Sequence, residues 1–221
     1  MRKSALKFFS LPFFAHALAS FLSMTGPSGS QTVIEQWNEA RIPPPPEVKP
    51  VRADATKTAL LLIDFNRATC NLQRRVRCGE ALPKLRKILD AARAKGVLIV
   101  FKTQSSATAA DIPDEIAPLA TEQVFSSKTH KHLNMFSWPE IVTYLKGKGI
   151  ESVVVTGTAP HSTVQFSVGG AADAGFKAIV PVDGMPGDDI YQEQFTVWNI
   201  ANGPVLRDNS TLTKLDMIEF F

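Results

Sequence analysis

Residues 58–66 read TALLLIDFN, and the fold follows from this stretch. Residues 58–64 are a continuous apolar run closed by an acid, the pattern of a strand buried on both faces. Strands of that kind belong to parallel sheets covered by helices on both sides, so helical and strand patterns should alternate downstream. Residues 81–95 (ALPKLRKILDAARAK) place Leu82, Leu85, Ile88, Leu89 and Ala92 at helical spacing, with Gly96 as a stop. Residues 97–101 then read as a second buried strand. A helix over 136–148, with Ile141 and Leu145 inward, is closed by Gly149 and leads to a third strand, 152–156 (SVVVT). A small-residue helix over 162–174, a fourth strand at 177–182 and a last amphipathic helix over 189–201 complete the series. This alternation predicts an α/β fold with a mainly parallel sheet. Such folds bind ligands outside the carboxyl ends of their strands. Three stretches stand there: Asp64-Phe65-Asn66, residues 157–163, and Asp183-Gly184-Met185.

Working outward, residues 31–57 contain Pro43 to Pro46 in a run, then Pro50. The prolines exclude a helix or a central strand, so this segment reads as an extended arm laid over the domain or toward a partner. Residues 1–30 place Arg2, Lys3 and Lys7 before the uncharged stretch 8–24, with a small-residue cleavage pattern at Ala17-Leu18-Ala19. That order predicts a signal peptide cleaved between about residue 19 and residue 30, and hence an exported protein, periplasmic or secreted. The organisation expected is therefore 1–30 signal, 31–57 arm and 58–221 folded domain. Of 24 Lys and Arg, three lie in the first 30 residues, leaving 21 against 21 Asp and Glu. A body with zero formal net charge has no whole-domain field for phosphates, so no nucleic-acid partner is expected. The two cysteines, Cys70 and Cys78, lack metal-type spacing. In an oxidising compartment they pair; otherwise they are two separate thiols.

Several catalytic motifs are missing. No G-x-S-x-G, H-E-x-x-H, Walker A or G-x-G-x-x-G sequence occurs, which argues against an α/β-hydrolase, a zincin or a nucleotide enzyme. His130 and His132 have no third ligand at a defined spacing, so no metal and no cofactor are expected.

The segment 58–66, the segment 157–176 (GTAPHSTVQFSVGGAADAGF) and Val182-Asp183-Gly184 together resemble the isochorismatase-like (cysteine hydrolase) superfamily. The resemblance runs from about residue 57 to 186 and implies a Rossmann-like three-layer α/β/α fold. Many members of that family cleave amide C–N bonds with an Asp, Lys and Cys triad; others hydrolyse the vinyl ether of isochorismate without the thiol. Asp64 matches the family's acid, and Thr163 stands where the family has its cysteine. A hydroxyl is a far weaker nucleophile than a thiolate, so a thiol mechanism is not expected. The family's lysine maps to Lys128 or Lys131, upstream of Phe136, with Lys128 preferred because a short strand at 124–127 could end there. Phe65, Asn66, Thr158, Ala159 and His161 are the implied substrate-binding residues, with a cis peptide between Thr158 and Ala159. His161 reads equally as a helix cap. The loop 105–122 is a candidate lid. Three functions follow: a thiol-independent hydrolase of a small anionic molecule using Asp64; an inactive binding or scaffold protein; and an amide hydrolase using Thr163 or water. A homo-oligomer is also expected, with no membrane partner once the signal is removed.

Overall fold

Six parallel strands carry the fold of the computed structural model, which describes residues 31–104, 106–126 and 132–221. The signal-type segment 1–30 and the candidates Lys128, His130 and Lys131 lie outside the described residues. The chain divides into two units, Met1–Pro43 and Pro44–Phe221. The described part of the first contains one 3₁₀ turn, Trp37–Glu39.

In the second unit, β1 (Val51–Ala53) precedes β2 (Thr58–Ile63), whose six residues are all buried. Then come α1 (Val76–Ala94), β3 (Leu98–Thr103), β4 (Gln123–Ser126), α2 (Pro139–Gly147) and β5 (Ser152–Gly157). The chain continues through α3 (Gln165–Asp173), β6 (Lys177–Pro181), α4 (Ile190–Asn202), α5 (Pro204–Asn209), β7 (Ser210–Thr213) and β8 (Ile218–Phe220). The main sheet has the order β4-β3-β2-β5-β6-β7. Strand order reverses between β2 and β5, which is where a doubly wound sheet opens its binding crevice. Alternate β2 residues feed the two cores. Leu60 and Leu62 pack with Leu82, Leu85 and Leu89 of α1 on one face. Leu61 and Ile63 pack with Ile141 and Leu145 of α2, Val168 of α3 and Ile200 of α4 on the other. The result is the three-layer α/β/α arrangement expected.

Two differences from the pattern-based reading have physical causes. Helix α1 begins at Val76, ahead of the expected residue 81. Its extra turn is tied down by a disulfide between Cys70 and Cys78 and by the Arg77 Nε to Glu193 hydrogen bond at 2.7 Å. Pro83 is accommodated inside the helix. The arm also ends earlier than residue 57. Val51, Arg52 and Ala53 pair in parallel with Ile218, Glu219 and Phe220 in a two-stranded sheet, and Lys49 N–H donates to Leu212 O at 2.9 Å. Residues 44–57 therefore belong to the folded unit, with the backbone of residues 51–55 bonded to residues 218–221 and that of Lys49 to β7.

Candidate active site

The crevice between β2 and β5 is closed at its base by three side chains from three strand ends. Asp64 follows β2 directly, its N–H donating to Lys102 O at 2.8 Å. Its φ of +58° lies in the left-handed region, which Asp tolerates better than most residues. Lys102 sits near the end of β3, opposite Ile63, with its side chain fully buried. Its Nζ donates to both Asp64 oxygens, at 3.1 Å to Oδ1 and 2.9 Å to Oδ2, and lies 5.4 Å from the centre of the Trp138 ring. Thr163 stands on a π-helical turn, Pro160–Val164, that runs into α3. Its hydroxyl donates to Asp64 Oδ2 at 3.0 Å.

Gly157 brings the third element close enough. A Cβ built there would sit 2.7 Å from Ile63 O, so only glycine lets the end of β5 lie against the end of β2. The Thr158–Ala159 peptide that follows is cis, as the resemblance implied. Burial pushes the Asp64 carboxyl above its ordinary range, and the Lys102 charge and the hydrogen bonds from Lys102 and Thr163 oppose that rise. Asp64 is thus a largely buried carboxyl at the edge of a cavity, held by the Lys102 amino group and the Thr163 hydroxyl.

Above it lies a cavity of about 480 Å³. Asp64, Phe65, Asn66, Thr158, Ala159 and Thr163 all line it, so six of the eight residues singled out in the sequence converge on one space. Asn66 also folds the loop after β2, its Oδ1 accepting the Ala68 N–H at 2.8 Å. Ser106 and Ala107, from the expected lid, form part of the wall beside Gln104. His161 is different: it is exposed on the π-helical turn and does not line this cavity. Lys128 lies outside the described residues.

Two further side chains at the site carry no clear signal in the sequence pattern. Lys102 falls beyond a strand that the pattern ends at Phe101, and the lone charge closing the run LIVFK is its only hint. Arg75, on the loop before α1, also lines the cavity. Nothing in its local sequence distinguishes it from Arg74 or Arg77.

Residues 58–209 match the family model described as the isochorismatase domain. Solved structures share the fold. An isochorismatase-like hydrolase from Alkaliphilus metalliredigens is 21% identical, with a TM-score of 0.63 over 72% of this chain and 95% of that one. A cysteine hydrolase from Pseudomonas syringae pv. phaseolicola is 13% identical, with a TM-score of 0.63 over 77% of this chain and 94% of that one. N-carbamoylsarcosine amidase from Thermoplasma acidophilum is 18% identical, with a TM-score of 0.58 over 72% of this chain and 97% of that one. No curated protein matches the chain. Because the family model covers well over half of the residues, the chain belongs to the isochorismatase family of hydrolases.

Proposed function

We propose that the protein hydrolyses a small anionic molecule without a thiol, with Asp64 as the acid and base. Family membership supports hydrolysis and a small-molecule substrate in general. The observation that carries the finer reading is the buried Asp64 carboxylate at the cavity floor, hydrogen-bonded by Lys102 and Thr163. A water in the cavity gives a proton to Asp64 as its oxygen bonds to the electrophilic carbon. Asp64 then passes that proton to the departing oxygen or nitrogen as its bond to carbon breaks. One water is consumed and the carboxylate is regenerated. A carboxyl held above its usual range is better matched to both transfers near neutral pH than an ordinary one. Lys102 keeps the carboxylate oriented, and the Thr163 hydroxyl fixes Oδ2.

The test is Asp64→Asn against a panel of enol ethers and amides with the purified protein. Asn accepts the left-handed backbone at this position and keeps the side chain's size. Turnover should fall by about 10²–10⁴-fold. Because Asn leaves the buried Lys102 ammonium without its counter-charge, the melt also falls, so rates are compared at a temperature where both preparations are folded. An unchanged rate on a verified substrate removes Asp64 from the mechanism.

A binding or scaffold role is the second reading. It is favoured by the hydroxyl at position 163, a far weaker nucleophile than the thiolate the resemblance places there, even with Asp64 accepting its hydrogen bond. In that case Asp64→Asn changes ligand affinity and there is no turnover to lose. An exported, homo-oligomeric protein completes the reading. The basic and apolar order of residues 1–30 motivates export, and N-terminal sequencing of exported material that found Met1 intact would refute it.

A further inference from the structure

We propose that Arg75, presented by the disulfide-closed loop between Cys70 and Cys78, is the anchor for a substrate carboxylate in the cavity above Asp64. The inference rests on the cavity being the substrate site. Among the described residues lining it, Arg75 is the only basic side chain, and the other charged one is Asp64 at the floor.

The geometry of its guanidinium is settled by the protein. Nε donates to Asp188 Oδ1 at 2.8 Å and Nη2 to Asp188 Oδ2 at 3.3 Å, so Asp188 takes one edge of the fork. Nη1 donates to the Thr158 hydroxyl. A guanidinium has five N–H donors. These three bonds leave two without a partner among the described residues, one on each terminal nitrogen. The two terminal nitrogens thus each offer a carboxylate one N–H. Asp188 already balances most of the charge, which suits a monoanionic carboxylate better than a phosphate dianion. The side chain is 16% exposed, so its contacts are partly shielded from water.

The loop holds Arg75 still. The Cys70–Cys78 bond closes it, Arg75 N–H donates to Asn71 O at 3.2 Å, and Cys78 and Gly79 N–H donate back to Arg75 O at 3.0 and 3.1 Å. Gly79 is required for this arrangement: a Cβ there would lie 2.8 Å from both Asn71 C and Leu72 N, so the loop lies directly on α1. An arginine held in advance loses little side-chain entropy on binding. The ligand class is therefore a small carboxylic acid whose scissile bond reaches Asp64 while its carboxylate meets Arg75.

The experiment titrates purified, oxidised protein with acetate, succinate, benzoate and N-acetylglycine, each against its amide, by calorimetry. At least one acid should bind about ten- to a hundredfold more tightly than its amide, as hydrogen bonds to a charged group imply. Arg75→Met should abolish that preference, whereas Arg86→Met, at an exposed arginine that does not line the cavity, should retain it. Should Arg75→Met fail to fold, Arg75→Lys keeps the charge but not the fork, and a loss of about tenfold is still expected. The assignment is overturned if no acid is preferred over its amide, or if either Arg75 variant keeps the full preference. A carboxylate preference in a protein that turns over nothing would refute hydrolysis and leave the anchor standing. Turnover without the preference does the reverse.

Discussion

Replacing Lys102 with methionine tests how the site is held together. The Lys102 side chain is fully buried and that of Asp64 is 9% exposed, with Nζ at 2.9 and 3.1 Å from the two carboxylate oxygens. At about 3 Å and an effective dielectric near 20, the attraction between the charges is about 5.5 kcal/mol, much of it offset by their desolvation. Removing the ammonium alone leaves the carboxylate buried and uncompensated, for which a loss of about 3–5 kcal/mol is expected. The loss should depend on pH. Asp64 is already raised above its ordinary value in the wild type, and without Lys102 burial acts with less opposition, so the rise is larger. A carboxyl raised on folding contributes stability that is complete below its unfolded value, near pH 4, and is lost as pH rises through the folded value. Lys102→Met should therefore be penalised more at pH 8 than at pH 5, because a protonated Asp64 needs no counter-charge. Urea unfolding of oxidised wild type, Lys102→Met, Asp64→Asn and the double variant at both pH values measures this. The double variant should lie within about 1 kcal/mol of wild type, since neutral groups of similar size often replace a buried pair without loss. A penalty below about 1 kcal/mol at pH 8, or one equal at both pH values, would refute the reasoning and reduce Lys102 to packing against Trp138.

Thr163→Cys places a thiol within reach of Asp64, at the position where the resemblance implies the nucleophilic cysteine. Amide hydrolysis should rise at least about tenfold and become sensitive to iodoacetamide, while wild-type activity resists the reagent; inhibition of the wild type would implicate another group. Replacing Cys70 and Cys78 together with serine opens a loop of sequence separation 8, and a chain-entropy estimate gives a loss of about 2–3 kcal/mol in non-reducing urea melts. A loss confined to well under 1 kcal/mol would mean that the denatured chain is equally constrained without the bond.

The architecture was legible because apolar runs such as TALLLID and SVVVT have one low-cost use, a strand covered on both sides, and the helices between them announce their inner faces every three to four residues. Local pattern also marked the stretches 64–66 and 157–163, which follow strand ends where ligands bind in such sheets, and the resemblance singled out Asp64, Phe65, Asn66, Thr158, Ala159 and Thr163 within them. It did not reach the partners that come from elsewhere in the chain. Val51 to Ala53 found its strand in residues 218–220, a pairing with no local signature. Lys102 reads as the first solvated residue after a strand until β2 and β3 are set in register, when it falls opposite Ile63 and its ammonium meets the next residue, Asp64. Arg75 is one of three nearby arginines, and only the closed loop, Asp188 and Thr158 choose it for the cavity wall. Periodicity records which residues avoid water, a property each residue carries with it. Which charge meets which is settled by distances between residues far apart in sequence, and those exist only once the chain has folded.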